Sequence, residues 1–286
     1  MPRLKRFLSE VKQGRTPQTI WPYSEVGHTQ DAKKSLLKYV DFKETENVLN
    51  SVKPVELIQR ILQLATSPNE GDIVVDFFSG SASTAHAVLK QNVEDGGDRR
   101  FIGVQISESL PKPEPEMTTI FEMGKRRIVN YSKEIAVSSE GKENKVIDSG
   151  FRVLRVDSSN LQEVYYQPGE LRQDMLSDTT DNIRPDRTPE DLLFQVLLDW
   201  GVDLSLPISQ KKIAGKTVYF VDGSDKHMAL AACFDLDIDE AFVKQLAEYE
   251  PLRSVFRDAG FANDSVKINV EQIFAQKSPN TDVKVI

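Results

Sequence analysis

Residues 73–106 constrain the fold more than any other part of this chain. Ile73-Val74-Val75-Asp76-Phe77-Phe78 is a short, nearly continuous apolar run. An uninterrupted run of this length suits a strand that a parallel sheet buries on both faces, whereas a half-exposed strand alternates. Asn69-Glu70-Gly71-Asp72 precedes it as a turn, and Ser79-Gly80-Ser81-Ala82-Ser83-Thr84 follows it with small side chains. The pattern then predicts a helix from about Thr84 to Gln91, a turn over NVEDGGD (92–98) and a second strand over RFIGVQI (100–106). A β-loop-α-β unit of this kind is the building block of a doubly wound sheet, in which ligands bind outside the carboxyl ends of the strands. Asp76–Ser81 occupies that place. Its small residues let a ligand lie close to the backbone, and the helix start offers free N–H groups. No Gly-Lys-Ser/Thr follows, so it is not a nucleotide-phosphate loop, and it is not the G-x-G-x-x-G of nicotinamide-binding folds. The competing interpretation is a tight strand-to-helix turn that binds nothing.

Elsewhere the periodicities place further elements. Thr29–Leu37 reads as a short helix, and Pro54 to about Ala65 as a stronger one, with Val55, Ile58, Ile61, Leu62 and Ala65 on one face and Pro54 at its first position. Pro111, Pro113 and Pro115 mark a loop, and a helix from roughly Thr119 to Ala136 carries Lys125-Arg126-Arg127, expected on a solvated face. The polar segment 138–149 is the expected domain boundary. After it come a predicted strand FRVLRVD (151–157), an acidic irregular stretch, and a helix starting at Thr188-Pro189-Glu190-Asp191 that buries Leu192, Leu193, Val196 and Leu197 and stops near Gly201. The tail alternates strand KTVYFVD, strand HMALAACF, helix 238–249, strand RSVFRD, helix 266–276 and strand VKVI. A length of 286 residues fits one large domain or two small ones.

Composition narrows the class. Hydrophobic residues make up 39% and charged residues 28%, enough apolar material for a core. No apolar stretch approaches a membrane span, and the basic start MPRLKRFLSEVKQGR lacks the apolar region of a secretory signal. The single Cys233, flanked by Ala231, Ala232 and Phe234, excludes an internal disulfide and reads as a buried spectator. His28, His86 and His227 make no ligand spacing, so no metal is expected, and the default location is cytoplasmic. His86 is expected to pack rather than act as a base, and Trp21 and Tyr23, beside Pro22, to be core. The net charge of −8 is unevenly spread: residues 1–40 carry eight Lys/Arg against three acids, and residues 155–200 carry four Arg against ten acids. A basic arm on an acidic body permits DNA binding without demonstrating it.

DFFSGSAST (76–84) resembles the S-adenosylmethionine-binding motif of amino-group DNA methyltransferases, D-x-F-x-G-S-G-T-T. The likeness continues through GHTQDAKKSL, KPVELI, NVEDGGDRRFIGVQ, DSGFRVLRVDSSN, DNIRPDRTPEDLL, AGKTVYFV and VFRDAGF. In that order these segments resemble the modification subunit of type III restriction-modification systems. The resemblance implies S-adenosylmethionine as cofactor, with Asp76, Phe78, Gly80 and Ser81 in the motif and Ser83 and Thr84 opening the next helix. It implies Lys53 and Pro54 closing over the methionine end, and Glu108 as the acid for the ribose hydroxyls. Two positions depart from the pattern: Ala82 stands where the family usually has Gly, and Ser51-Val52 precede Lys53-Pro54 where Thr-Pro is usual.

A larger departure is the absence of any Pro-Pro dipeptide. The family activates the exocyclic amine of a flipped base with an Asp-Pro-Pro-Tyr-type tetrapeptide, so no catalytic residue is expected here. The resemblance therefore implies an α/β protein, a partial doubly wound (Rossmann-like) methyltransferase sheet followed by a smaller α/β domain. Residues 1–50 would end a target-reading region and its linker, with Arg3, Lys5, Arg6, Lys12 and Arg15 as the edge of a DNA-contacting surface. Residues 51–137 would bind the cofactor, and 150–286 would form a carboxyl-terminal α/β domain for dimerisation and partner contacts. The implied function is site-specific adenine methylation of double-stranded DNA. The implied partners are a restriction subunit, a second copy in the intact family member, and the amino-terminal half if that is separately encoded; no membrane is involved. The rival is a non-catalytic interaction module or the remnant of an interrupted gene. A methyltransferase for RNA or protein leaves the downstream matches unexplained and ranks last.

Overall fold

From Ile73 to Gly103 the chain runs strand, helix, strand: β1 (Ile73–Asp76), α4 (Ser83–Asp95) and β2 (Arg100–Gly103), with β1 and β2 parallel. The structure, a computed structural model, describes residues 16–139, 148–162 and 182–286 apart from 224 and 226. The basic arm Arg3–Arg15, residues 140–147 of the expected boundary and most of the acidic stretch lie outside the described residues. The protein is mixed α/β and divides into two compact units, Met1–Phe151 and Arg152–Ile286.

In the first unit α1 (Tyr23–Val26), α2 (Thr29–Tyr39) and α3 (Val55–Ala65) precede β1. His28 caps α2 in a reciprocal box, its ring accepting from the Asp31 N–H while the Asp31 carboxylate accepts from the His28 N–H. Tyr23 stacks on that ring and is otherwise exposed, so it is a surface residue and not the core aromatic expected. After β2 come a small hairpin, β3 (Ser109–Glu114) with β4 (Met117–Thr119), and the long α5 (Ile120–Ser139). The expected proline loop at 111–115 is thus largely an edge strand, a position prolines tolerate because no ladder N–H is required there.

Helix α4 is the centre of this unit. Ala87 and Val88 meet Val55 and Leu62 of α3, while Ala85 and Leu89 meet Ile128, Tyr131 and Ile135 of α5. The predicted apolar face of α3 is rotated: Ile61 (45% exposed) and Ala65 face outward, and Gln59 is buried. Gln59 reaches Gln91 and Glu94 on α4, so side-chain hydrogen bonds, invisible to an apolar periodicity, turn the helix. The 92–98 segment is helical to Asp95 and closes at Gly96 in the left-handed conformation. Asn92 then exchanges hydrogen bonds with the Arg99 backbone, and Arg99 pairs with Asp95.

The expectation that the β1 strand is buried on both faces is not met. Register pairs Val74 with Phe101 and Val75 with Ile102. Val74 and Phe101 turn toward the helices, whereas Ile73, Val75 and Ile102 alternate onto the opposite face and stay exposed. Among the described residues the sheet has two strands, and parallel sheets are ordinarily covered on both faces.

The second unit has a five-stranded sheet in chain order, β5 (Ile208–Ile213), β6 (Lys216–Val221), β7 (Leu230–Cys233), β8 (Arg253–Phe256) and β9 (Asp282–Val285). β5–β6–β7 are antiparallel, and β7–β8–β9 are parallel. Helices α7 (Glu240–Ala247) and α8 (Asp264–Lys277) lie on the face bearing Val218, Phe220, Cys233 and Phe256. Helix α6 (Pro189–Asp199) covers Tyr219, Val221, Leu230 and Val255 on the other. Thr188 and Asp191 form the capping box read from sequence, and Leu192, Leu193, Val196 and Leu197 are buried. The 151–157 segment is not a strand: Val153, Leu154 and Val156 are exposed, and Arg152 donates to the carbonyls of Leu204 and Leu206. β5 was not expected, because ISQKKI is too polar to register as a strand and forms the edge of its sheet.

The exposed sheet face in the first unit predicts self-association. A Val75→Thr/Ile102→Thr double variant should scatter less light and bind less hydrophobic dye while melting within about 3 °C of the parent, since surface changes cost little. Unchanged association would show that this face is not what drives it.

Candidate functional site

The turn between β1 and α4 is tied from the strand side by Asp76. One carboxylate oxygen accepts from the Phe78 N–H at 3.0 Å, and the other accepts from the Thr84 hydroxyl at 2.6 Å. The Asp76 carbonyl accepts from Val104 N–H and the Val104 carbonyl from Ser79 N–H, so the parallel pairing runs on past the named strands. One side chain therefore joins the strand end, the turn and the first turn of α4. Phe78, held by this arrangement, projects outward and is 91% exposed. Gly80 follows at φ +52°, a left-handed conformation, and a Cβ there would meet only the Phe78 carbonyl, at 3.7 Å. The backbone in front of Gly80 is open. Its N–H donates to the Gln105 side chain at 2.7 Å, a contact sequence reasoning missed because Gln105 lies beyond the second strand.

Ala82, which stands where the resembled motif has Gly, is the N-cap of α4 at φ 59° and ψ 36°. A non-Gly residue in this region costs about 1 kcal/mol. The methyl is nevertheless accommodated: it is buried against α5 at Gly124, where an added Cβ would lie 3.3 Å from that of Ala82. Ala82 has no side-chain oxygen to cap α4, so the first N–H groups of the helix have no side-chain cap from it.

The other candidate residues divide by placement. Ser81 and Ser83 are buried and turn inward, their hydroxyls 3.4 Å apart, toward Arg127. Thr84 is half-buried on Asp76. Pro54 is buried as the N-cap of α3, one position earlier than expected, and Lys53 beside it is exposed. Gly27 accommodates Pro54, because a Cβ on Gly27 would lie 3.0 Å from the proline Cβ. Glu108 is exposed between β2 and β3. Hydrogen bonds link Asp76, Phe78 and Thr84; Lys53, Pro54 and Glu108 stand on other segments.

The basic cluster on α5 is not a solvated face throughout. Lys125 is exposed and Arg126 pairs with Glu116, but Arg127 is fully buried. Helical spacing puts it one turn beyond Gly124 on the side packed against α4, and an arginine in a run of three basic residues gives no sequence sign of that. Burial depresses its pKa to about 10. His86 on α4 packs between Tyr39 and Tyr131, as a packing residue should, and burial with the neighbouring Arg127 charge pushes its pKa down to about 3. Its Nδ1 accepts from Arg127 Nε at 3.2 Å, so the ring is neutral with its proton on Nε2. Buried Cys233 is pushed up to about 12, too high for a nucleophile at neutral pH. Among the described residues no group of His, Cys, Asp or Glu is placed to hold a metal, and no helix is long and apolar enough to cross a membrane.

Residues 3–112, which contain this turn, match the family model described as DNA methylase. The StyLTI Mod subunit, a type III restriction-modification enzyme of Salmonella typhimurium, is 31% identical over 147 residues, 50% of this chain and 21% of that protein. The EcoPI Mod subunit, of the same type and from Escherichia phage P1, is 26% identical over 254 residues, 86% of this chain and 37% of its own. That match is longer than the first unit and therefore enters the second. The chain is thus similar to type III modification subunits over both of its units. A type II methyltransferase from Klebsiella pneumoniae is 28% identical over 109 residues, 38% of this chain and 24% of its own. The chain spans about a fifth to two fifths of the length of the type III relatives it matches.

The neutral His86 makes a pH prediction. Its folded pKa lies below the unfolded value, so the unfolded chain binds the extra proton. Stability present above about pH 6.5 is lost as pH falls toward 3, at up to about 1.4 kcal/mol per pH unit. A His86→Gln variant should show a shallower loss of unfolding free energy between pH 7 and pH 4 in urea titrations. Parallel curves would contradict the assignment.

Proposed function

We propose that this chain supplies the S-adenosylmethionine-binding part of a site-specific adenine DNA methyltransferase of the type III modification kind. The observation that carries the reading is the turn itself: an aspartate-tied strand-to-helix loop with open backbone at Gly80 and an outward Phe78, inside the segment that matches the DNA methylase model. These residues fit the group. A nucleoside ring would lie against Phe78, and the uncrowded Gly80 backbone would let the ligand approach. Lys53, Pro54 and Glu108 would close on it from neighbouring segments, and Ser81, Ser83 and Thr84 would keep the turn in shape. When bound, S-adenosylmethionine supplies an electrophilic methyl on a sulfonium. This chain's share is to bind and orient that donor and to exclude water from it.

The exocyclic amine needs acceptors for its hydrogens and an aromatic platform for the flipped base. With no Pro-Pro dipeptide in the sequence, those groups would come from outside these 286 residues, and the chain alone would not complete the transfer. In this reading residues 51–137 belong to a larger doubly wound sheet in which further helices cover the exposed face of Ile73, Val75 and Ile102, and residues 1–50 end a target-reading region. The unit at 150–286 would dimerise and meet the restriction subunit and double-stranded DNA in the cytoplasm. The absence of Pro-Pro also favours a second reading, a non-catalytic interaction module that binds partners and methylates nothing.

Calorimetric titration of S-adenosylmethionine separates the two. Saturable binding should be lost in Asp76→Ala, which releases both Phe78 and Thr84, and weakened about three- to tenfold in Phe78→Ala, which removes an exposed ring and spares the fold. A folded chain that takes up no cofactor sinks the first reading and leaves the interaction module.

A further inference from the structure

Arg127 is a buried cation whose hydrogen-bond acceptors are all neutral. Its Nη1 donates to the Ser83 hydroxyl at 2.9 Å, to the Ser81 carbonyl at 3.1 Å and to the Ser81 hydroxyl at 3.3 Å. Its Nη2 donates to the Ser35 hydroxyl on α2 at 3.4 Å, and its Nε to His86 on α4. Burying a guanidinium without a carboxylate is costly, and an apolar side chain of the same length would fill this space at lower cost. What an apolar side chain could not do is hold the backbone of the turn. Three of the five acceptors belong to Ser81 and Ser83, immediately after the open Gly80.

Gly124, one helical turn earlier on α5, meets the same loop. A Cβ there would come within 2.9 Å of the Gly80 carbonyl, closer than such contacts allow. Helix α5 thus reaches the turn twice: a glycine lets the backbone in against Gly80 and Ala82, and the guanidinium then grips the residues that follow. Asp76 ties the turn to the strand on one side, and Arg127 ties it to the helical layer on the other. The fork geometry of arginine suits this task, because lysine offers a point charge and cannot span Ser81, Ser35 and His86 together.

We propose that Arg127 is a positioning residue of the cofactor site, fixing Ser81–Ser83 from behind so that Gly80 and Phe78 stay presented to the ligand; this rests on the cofactor reading above. Arg127 does not touch the ligand. Its effect is on the shape of the turn before anything binds, so the turn is testable in the ligand-free chain.

The test pairs amide hydrogen exchange with calorimetry on the full chain, in Arg127→Met, Arg127→Lys and Ser83→Ala. Exchange at Gly80–Thr84 should accelerate at least tenfold in Arg127→Met, while exchange in β6 and α7 stays as in the parent. S-adenosylmethionine affinity should fall at least tenfold, with Arg127→Lys recovering part of both effects and Ser83→Ala showing a smaller loss at the same amides. A purely structural role would spread the acceleration over α4 and α5 and leave affinity unchanged in whatever chain folds, which overturns the proposal. If the Arg127 variants do not fold, Ser83→Ala decides by whether its effect is confined to the turn. If the parent binds no S-adenosylmethionine, the cofactor reading fails, and the exchange pattern still shows whether Arg127 positions the turn.

Discussion

The carboxylate of Asp76 joins a strand end to a helix start, and the first unit is arranged around that junction. With Thr84 on one oxygen and the Phe78 N–H on the other, the chain leaves β1 in a tight loop and enters α4 in one fixed direction. Helix α4 then lies between α3 and α5 and gives each an apolar side. Without the junction, Ala82 would have no reason to sit in the left-handed region, and Gly124 and Arg127 would have no loop to pack against. The strain at Ala82 is small beside the burial it permits: α4 alone contributes four apolar side chains to the core from Ala85 to Leu89 apart from His86, and the methyl of Ala82 itself is covered.

The two units solve the burial of a sheet differently. In the second, Tyr219 and Val221 point one way and Val218 and Phe220 the other, and helices close both faces. KTVYFV is apolar without alternation for that reason, and it could be read as a buried strand from the sequence. IVVD in the first unit has the same character, yet helices cover only its Val74 face. The sequence of β1 is suited to a neighbour that the described residues do not contain.

Local chemistry was the most legible part. The Thr188–Asp191 box, the buried leucines of α6 and the β-α-β order at 73–103 each follow from residues within a few positions of one another. The Asp76 segment was legible as a tight strand-to-helix turn for the same reason. What escaped was decided across the fold: Gln59 turning α3 toward Gln91, Arg127 reaching Ser81 over a separation of 46 residues, and Gln105 accepting from Gly80 from the segment after β2. Polar side chains that become buried through distant partners look like surface residues in a hydropathy pattern. The outline of the candidate turn was therefore readable, and its supports were not.

The central claim is that ligand binds at the carboxyl end of β1. Amide chemical-shift mapping on the isotope-labelled chain, titrated with S-adenosylhomocysteine, tests it directly. The account predicts saturable shifts at Phe78, Ser79, Gly80 and the first turn of α4, with the second unit unmoved. Shifts confined to the second unit, or none in a well-dispersed spectrum, would contradict it.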